Sequence, residues 1–153
     1  IGIHSTGLHT NGYSLARKVL LEKFSIDEYV DDLGMTIGQK LLSIHKSYLN
    51  IVYPLIENTS LHAISHITGG GIVENTNRVI GENLKIKIDW NSWDIPHIFN
   101  LIKDQGDVPV EDMRKSFNLG IGMILVIDKS KVDTFTAHLD SNNEAYSILG
   151  EIV

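Results

Sequence analysis

Ser5-Thr6-Gly7-Leu8-His9-Thr10-Asn11-Gly12 joins a short apolar strand, Ile1-Gly2-Ile3, to a helix that opens at Tyr13-Ser14-Leu15. Two glycines let the backbone turn sharply and approach a ligand with no Cβ in the way. Hydroxyls, an imidazole and an amide surround them. The loop delivers the chain to a helix N-terminus, where unpaired N–H groups and the positive end of the helix dipole favour an anion. The stretch therefore reads as strand, polar loop and helix, and as a candidate anion seat. The ordinary alternative is a plain connection.

The same alternation continues downstream. Leu15, Ala16, Val19, Leu20 and Phe24 recur at helical spacing over about 13–24. Ser25-Ile26-Asp27-Glu28 has the form of a capping box, so a short helix is expected there. Residues 25–38 are otherwise acidic and broken by Gly34 and Gly38, a surface excursion in which Asp31-Asp32 reads as solvated rather than ligating. Ile44 to Ile56 is helical by pattern, with Pro54 kinking or breaking it. Leu61–Ile67 forms a buried strand that ends in Thr68-Gly69-Gly70-Gly71, and a helix follows from Ile72 to Ile80. Leu84, Ile86 and Ile88 alternate with polar residues as in a half-buried strand.

Ile95, Ile98, Phe99 and Ile102 trace one face of a helix, and Pro109 opens a shorter one. Asn118-Leu119-Gly120-Ile121-Gly122 leads into Met123–Ile127, a strand covered on both faces. A helix over 129–140 and a last strand over 145–153, interrupted at Gly150, complete the chain. The order predicts one α/β or α+β layered domain with helices packed on a sheet.

Composition narrows the function classes. A net charge of −6, with no basic run longer than Arg17-Lys18, argues against a nucleic-acid binder. With no cysteine, disulfides, thiolate chemistry and cysteine-based zinc sites are excluded, and the composition fits a reducing, cytoplasmic compartment. No apolar run approaches the ~20 residues that span a bilayer, so no membrane partner is expected. The chain begins without methionine and inside a strand, which reads as a piece of something longer.

Three loops share a composition: Ser5–Gly12, His66–Gly71 and Phe117–Gly122. Three consecutive glycines between a strand and a helix leave backbone N–H groups free to cradle an oxyanion, more than a tight turn requires. Neither a Walker A loop nor a dinucleotide fingerprint is present: no Gly-Lys-Ser/Thr closes the triple glycine, and Leu125 stands where a third glycine belongs after Gly120 and Gly122. Among seven histidines, His62 and His66 lie about 13 Å apart on a strand, too far to share an ion. His9 and His66 can converge if their strands are neighbours. His4 reads as a packed neutral ring, and His45, His97 and His138 as helix-surface residues. Trp90 and Trp93 read as packing rather than as a stacking platform for a base.

The motifs resemble those of one family. Ser5 to Leu15, then His66-Ile67-Thr68-Gly69-Gly70-Gly71 with Glu74-Asn75 and Arg78-Val79, then Phe117 to Met123, are similar to the C-terminal domain of the phosphoribosylformylglycinamidine cyclo-ligases, also called aminoimidazole ribonucleotide synthetases. The likeness runs through residues 1–153 in order, including Trp90–Trp93 and the closing Ile148-Leu149-Gly150-Glu151-Ile152. It implies a three-layer α/β/α domain with a mixed sheet, partly ferredoxin-like. It also implies ATP- and Mg2+-dependent ring closure of formylglycinamidine ribonucleotide in purine biosynthesis. In that family the active site is a cleft between two domains, and the N-terminal domain, which this chain lacks, carries most ATP and Mg2+ contacts and the homodimer interface.

The resemblance gives His9 and Asn11 catalytic roles, with Ser5, Thr6, Gly7 and Gly12 beside them. It makes His66, Thr68, Gly69, Gly70 and Gly71 a second wall of the cleft for substrate or phosphate, and Asn118, Gly120 and Gly122 a third. No metal ligand is expected in this chain. Sister enzymes of the same architecture (formylglycinamidine synthetase, thiamine-monophosphate kinase, selenophosphate synthetase and the hydrogenase-maturation carbamoyl dehydratase) are the nearest alternatives. A non-catalytic anion-binding module is the alternative of a different class.

Overall fold

The computed structural model describes residues 1–153. In chain order the elements are β1 (Gly2–His4), α1 (Tyr13–Lys23), β2 (Tyr29–Val30), β3 (Met35–Thr36), α2 (Ile37–Leu41), α3 (Leu49–Val52), β4 (Leu61–His66) and α4 (Gly71–Asn77). They continue with β5 (Ile86–Ile88), α5 (His97–Gln105), α6 (Val110–Ser116), β6 (Ile121–Ile127), α7 (Val132–Ser141), β7 (Tyr146–Ser147) and β8 (Gly150–Ile152). The central sheet has the order β4-β6-β1-β7; β2 with β3, and β5 with β8, form two separate ribbons.

Strand β6 is the spine, and its period-two alternation distributes side chains between two cores. Leu125, with Met123 and Ile127, joins Ile3 beneath Ile51, Val52, Phe135 and Leu139 of α3 and α7. Ile124 and Val126 point the other way, toward Ile72 of α4, Trp93, Leu149 and the β5–β8 ribbon. A third cluster is almost wholly helical. It gathers Ala16, Val19 and Leu20 of α1, Ile37 and Leu41 of α2, Ile98, Phe99 and Ile102 of α5, and Met113 of α6 around Leu8, Phe117 and Leu119. Those last three come from the loops at the sheet end, so the helical cluster clamps the loops themselves.

The α/β expectation holds, with corrections. Every ladder is antiparallel, so the expected mixed sheet is not found. β1 and β4 do run parallel to each other, but β6 is inserted between them and pairs antiparallel with both. The expected helix over Ile44–Ile56 begins only at Leu49 and passes into a 3-10 turn at Tyr53–Leu55, where Pro54 lies. Residues 43–48 are coil, because Tyr48 turns inward to donate its hydroxyl to the His4 carbonyl at 3.0 Å, and Thr6 Oγ1 donates to the Ile44 carbonyl at 2.8 Å.

No helix follows Ser25. Its N–H is bonded by the Glu28 carboxylate at 3.1 Å, and the reciprocal capping box sits instead at Thr36 and Gln39, where it starts α2. Asp31 and Asp32 lie exposed on a 3-10 turn. The last strand is two strands in different sheets: the chain leaves the central sheet after Ser147 and joins β5 at Gly150, whose missing Cβ makes room for the Lys87 carbonyl. The tryptophans pack as expected. Trp93 Nε1 donates to the Leu119 carbonyl at 2.8 Å, and Trp90 lies 5.6 Å from it beneath the Arg114 guanidinium.

The triple glycine separates two requirements. Gly71 has φ +67°, and a Cβ there would overlap the Arg114 carbonyl, whereas a Cβ on Gly69 would meet nothing within 4 Å. Gly71→Ala should therefore destabilise the protein by ~2 kcal/mol or more, and Gly69→Ala by no more than ~0.5 kcal/mol. Urea unfolding midpoints of the two variants check this.

Candidate functional site

The position of β6 between β4 and β1 decides where the three loops go. His66, at the end of β4, pairs with Met123, and His4, at the end of β1, pairs with Ile121. The ends of β1 and β4 and the start of β6 thus share one edge of the sheet. Ser5–Gly12, His66–Gly71 and Phe117–Gly122 meet there.

Two buried asparagines hold these loops in shape. Asn118 is fully buried. Its Nδ2 donates to the Gly7 carbonyl at 2.8 Å, and its Oδ1 accepts from the Gly120 N–H at 2.8 Å and from Ser5 Oγ at 3.0 Å. The Ser5 N–H adds a bond to the Gly120 carbonyl at 2.8 Å. Gly12 lies against the Phe117 ring, and Gly122 against the Tyr48 hydroxyl and His9.

Asn75 of α4 does the same for the triple glycine. Its Nδ2 donates to the carbonyls of Thr68, Gly69 and Gly71 at 3.2, 3.2 and 2.8 Å, while its Oδ1 accepts from Thr68 Oγ1 at 2.9 Å. The Gly70 N–H donates to the Lys115 carbonyl at 2.9 Å and the Gly71 N–H to the Thr68 carbonyl at 3.1 Å. The side chains of Ser5, Thr6, Thr68 and Asn118 are therefore engaged within the protein. The expected three-amide cradle narrows to Gly69, the glycine that neither packing nor backbone conformation requires.

The buried side-chain atoms left without a partner in these loops lie on the first one. His9 is 4% exposed, and its Nδ1 is buried with no partner; Asn11 Nδ2 is buried and unpartnered as well. The Thr6 N–H donates to His9 Nε2 at 3.2 Å, which leaves the ring proton on Nδ1. Gly12, in a left-handed conformation, precedes helix α1, which has no side-chain cap and no acidic residue in its first turn. Its orphan N–H groups are open to a ligand.

Two further histidines adjoin His9. His45, in the 43–48 coil, stacks on His9 with ring centroids 4.0 Å apart, and His66 lies 5.5 Å from His45. Burial, then the neighbouring His45, His66 and Lys46, push the His9 pKa down to about 4, and burial and His45 lower that of His66. Lys46 is paired with Glu144 and donates to the His4 carbonyl at 3.3 Å. Burial raises the Tyr48 hydroxyl pKa, so it stays a proton donor to His4. A groove of about 330 Å³ opens beside these rings, lined by His45, Lys46, Tyr48, His66 and Met123 with the apolar residues of α3 and the turn after it.

The sequence had assigned His45 to a helix surface, and only the inward turn at Tyr48 brings it to the site. The structural part played by Asn75 had one sequence cue, an amide four residues after a helix-starting glycine. The side chains of three further histidines are engaged elsewhere. His4 bonds Ser147 Oγ at 2.9 Å, His62 pairs with Asp128 at 2.8 Å, and His138 bonds the Ile51 carbonyl at 2.9 Å.

The pH dependence has a defined sign. The folded-state pKa of His9 lies below the ordinary 6.5, so the fold favours the neutral ring. Its contribution is complete above about pH 6.5 and is lost as pH falls toward 4, by up to ~3 kcal/mol. His9→Asn, which tolerates the left-handed φ of 55° at this position, should flatten that decline. Urea unfolding between about pH 7.5 and pH 4.5 measures the difference between the two proteins.

The chain is similar to known proteins along its length. The model of the family described as AIR synthase related protein, C-terminal domain, matches residues 1–153. A phosphoribosylformylglycinamidine cyclo-ligase of Pseudothermotoga lettingae is 41% identical over 153 residues, covering 100% of this chain and 45% of the relative. Cyclo-ligases of Thermoanaerobacter sp. and Carboxydothermus hydrogenoformans are each 42% identical, over 100% and 99% of the chain and 46% and 45% of the relatives. The chain thus spans a little under half the length of these relatives. No helix is long and apolar enough to cross a membrane. Because that family model matches residues 1–153, the chain belongs to the AIR synthase related protein C-terminal domain family.

Proposed function

We propose that this chain is the C-terminal domain of an ATP-dependent cyclo-ligase that closes the ring of formylglycinamidine ribonucleotide to give aminoimidazole ribonucleotide, and that it forms one wall of a cleft between two domains. The single observation that carries this reading is the pair of buried, unpartnered donors, His9 Nδ1 and Asn11 Nδ2, on the loop entering an uncapped helix N-terminus. Buried donors without acceptors are costly and mark a place for a ligand oxygen. The names of the relatives support the identity of that ligand.

ATP supplies the phosphoryl group that makes the formyl amide oxygen a leaving group, after which an amidine-side nitrogen attacks. The residues of this chain fit the anionic part of that chemistry. His9 Nδ1–H, Asn11 Nδ2, the Gly69 N–H and the first turn of α1 are hydrogen-bond donors placed to hold oxyanions and stabilise charge that develops on them. The three loops contain no Asp or Glu, so Mg2+ is held chiefly by the other domain. That domain, expected N-terminal to this one, also makes the homodimer interface of a cytoplasmic enzyme. Transfer of this kind rests on positioning and charge stabilisation, which suits walls of glycine, imidazole and amide.

In the full-length enzyme, His9→Ala and Asn11→Ala should each lower kcat/KM by ~10²-fold or more with the fold intact by circular dichroism. Near-wild-type rates in both would reduce the loop to a structural turn. Gly69→Ala should weaken substrate or phosphate binding while leaving the unfolding midpoint in place. The 153-residue chain alone should show no turnover; measurable product from it would refute the two-domain cleft.

A further inference from the structure

We propose that His9, His45 and His66 form a binding site for one borderline transition-metal cation of the Zn2+ or Co2+ class, where the Ser5–Gly12 loop, the 43–48 coil and the end of β4 meet. One ligand nitrogen from each ring lies within 4.8 Å of the other two. A four-coordinate metal holds imidazole nitrogens roughly 3–3.5 Å apart with each lone pair aimed at the ion, so closing on one takes shifts of about an ångström and a turn of His45 out of its stack on His9. Two of the three rings can make that shift: His45 is on a half-exposed coil, and His66 is at an exposed strand end. The third is fixed. His9 is buried, and its Nδ1 has no partner in the protein, which leaves it to a ligand: the oxyanion of the cyclo-ligase reading or, with the ring proton moved, a metal.

The chemistry of the set selects the ion. Three imidazoles without a carboxylate suit zinc, cobalt, nickel or copper and offer little to Mg2+ or Ca2+. Neutral imidazole is the ligating form. The nearby Lys46 charge is met by its pairing with Glu144. Three protein nitrogens, one on an exposed residue, leave a fourth position to solvent, as in open zinc sites. In the metal-free ring the Thr6 N–H donates to His9 Nε2, so ligation through Nδ1 moves the ring proton to Nε2 and gives up that contact. An oxyanion takes the N–H of His9 and a metal takes a lone pair, so the two occupants exclude each other at this residue. The sequence reading, which put His45 on a helix, placed no metal ligand in the chain.

The test is titration of the EDTA-treated protein at neutral pH with Co2+, followed by visible d–d absorption, then competition with Zn2+ and with Mg2+. The expected result is saturable binding of one equivalent, displaced by Zn2+ and not by Mg2+. It should weaken about tenfold or more in His45→Ala and His66→Ala and stay unchanged in His97→Ala. Absence of saturable binding, or equal affinity in His45→Ala, overturns the site. His45→Gln gives a second readout: Zn2+ should raise the Tm of the unsubstituted protein and not that of the variant, and an equal rise in both refutes the assignment. None of these measurements uses turnover, so they stand or fall separately from the cyclo-ligase reading.

Discussion

The side-chain amide of Asn118 is the constraint on which the site depends. Fully buried, it ties the Gly7 carbonyl, the Ser5 hydroxyl and the Gly120 N–H into one knot. Two loops more than a hundred residues apart in sequence thereby become one wall. The knot needs β1 and β6 already paired, since the Ser5 N–H to Gly120 bond continues that ladder past its last register pair. Leu8, Phe117 and Leu119 then anchor the knot in the helical cluster. A satisfied polar network of this kind is rigid because breaking any one bond leaves a buried group unpaired.

Rigidity in most of the loop atoms is what gives meaning to the few left over. Asn75 ties down the Thr68 hydroxyl and three carbonyls of the second loop, and Asn118 joins the third loop to the first. Against that background the unpaired nitrogens of His9 and Asn11 are not slack packing. They are donors held in place by a framework that does not itself use them. The same His9, stacked on His45 and close to His66, also gives this end of the sheet an imidazole cluster, the proposed metal site.

Much of the fold was legible in the sequence. The helical spacing of Leu15 through Phe24, the apolar run of β6 and the glycine breaks located most elements, and the three loops were found by composition alone. The roles of individual loop residues were less legible. Hydroxyls and amides expected at ligand contacts also bond within the protein, Ser5 and Asn118 between two loops and Thr68 to Asn75 of α4, because a short polar side chain serves either purpose and its partner is set by the tertiary fold. The 43–48 segment was misread as helix for a related reason: its apolar spacing fits a helix, but Tyr48 spends its hydroxyl on a strand end forty-four residues away.

The sequence by itself determined the layered α/β class, the family and the identity of the three loops, since periodicity, glycine placement and motif order are local properties of the chain. The tertiary structure alone decided which of those loop atoms are free. It inserted β6 between β1 and β4, brought His45 to His9, and left Gly69 as the one glycine of its triplet without a packing duty. Each of these outcomes depends on strand pairing and burial between residues remote in sequence, where no local pattern carries the information.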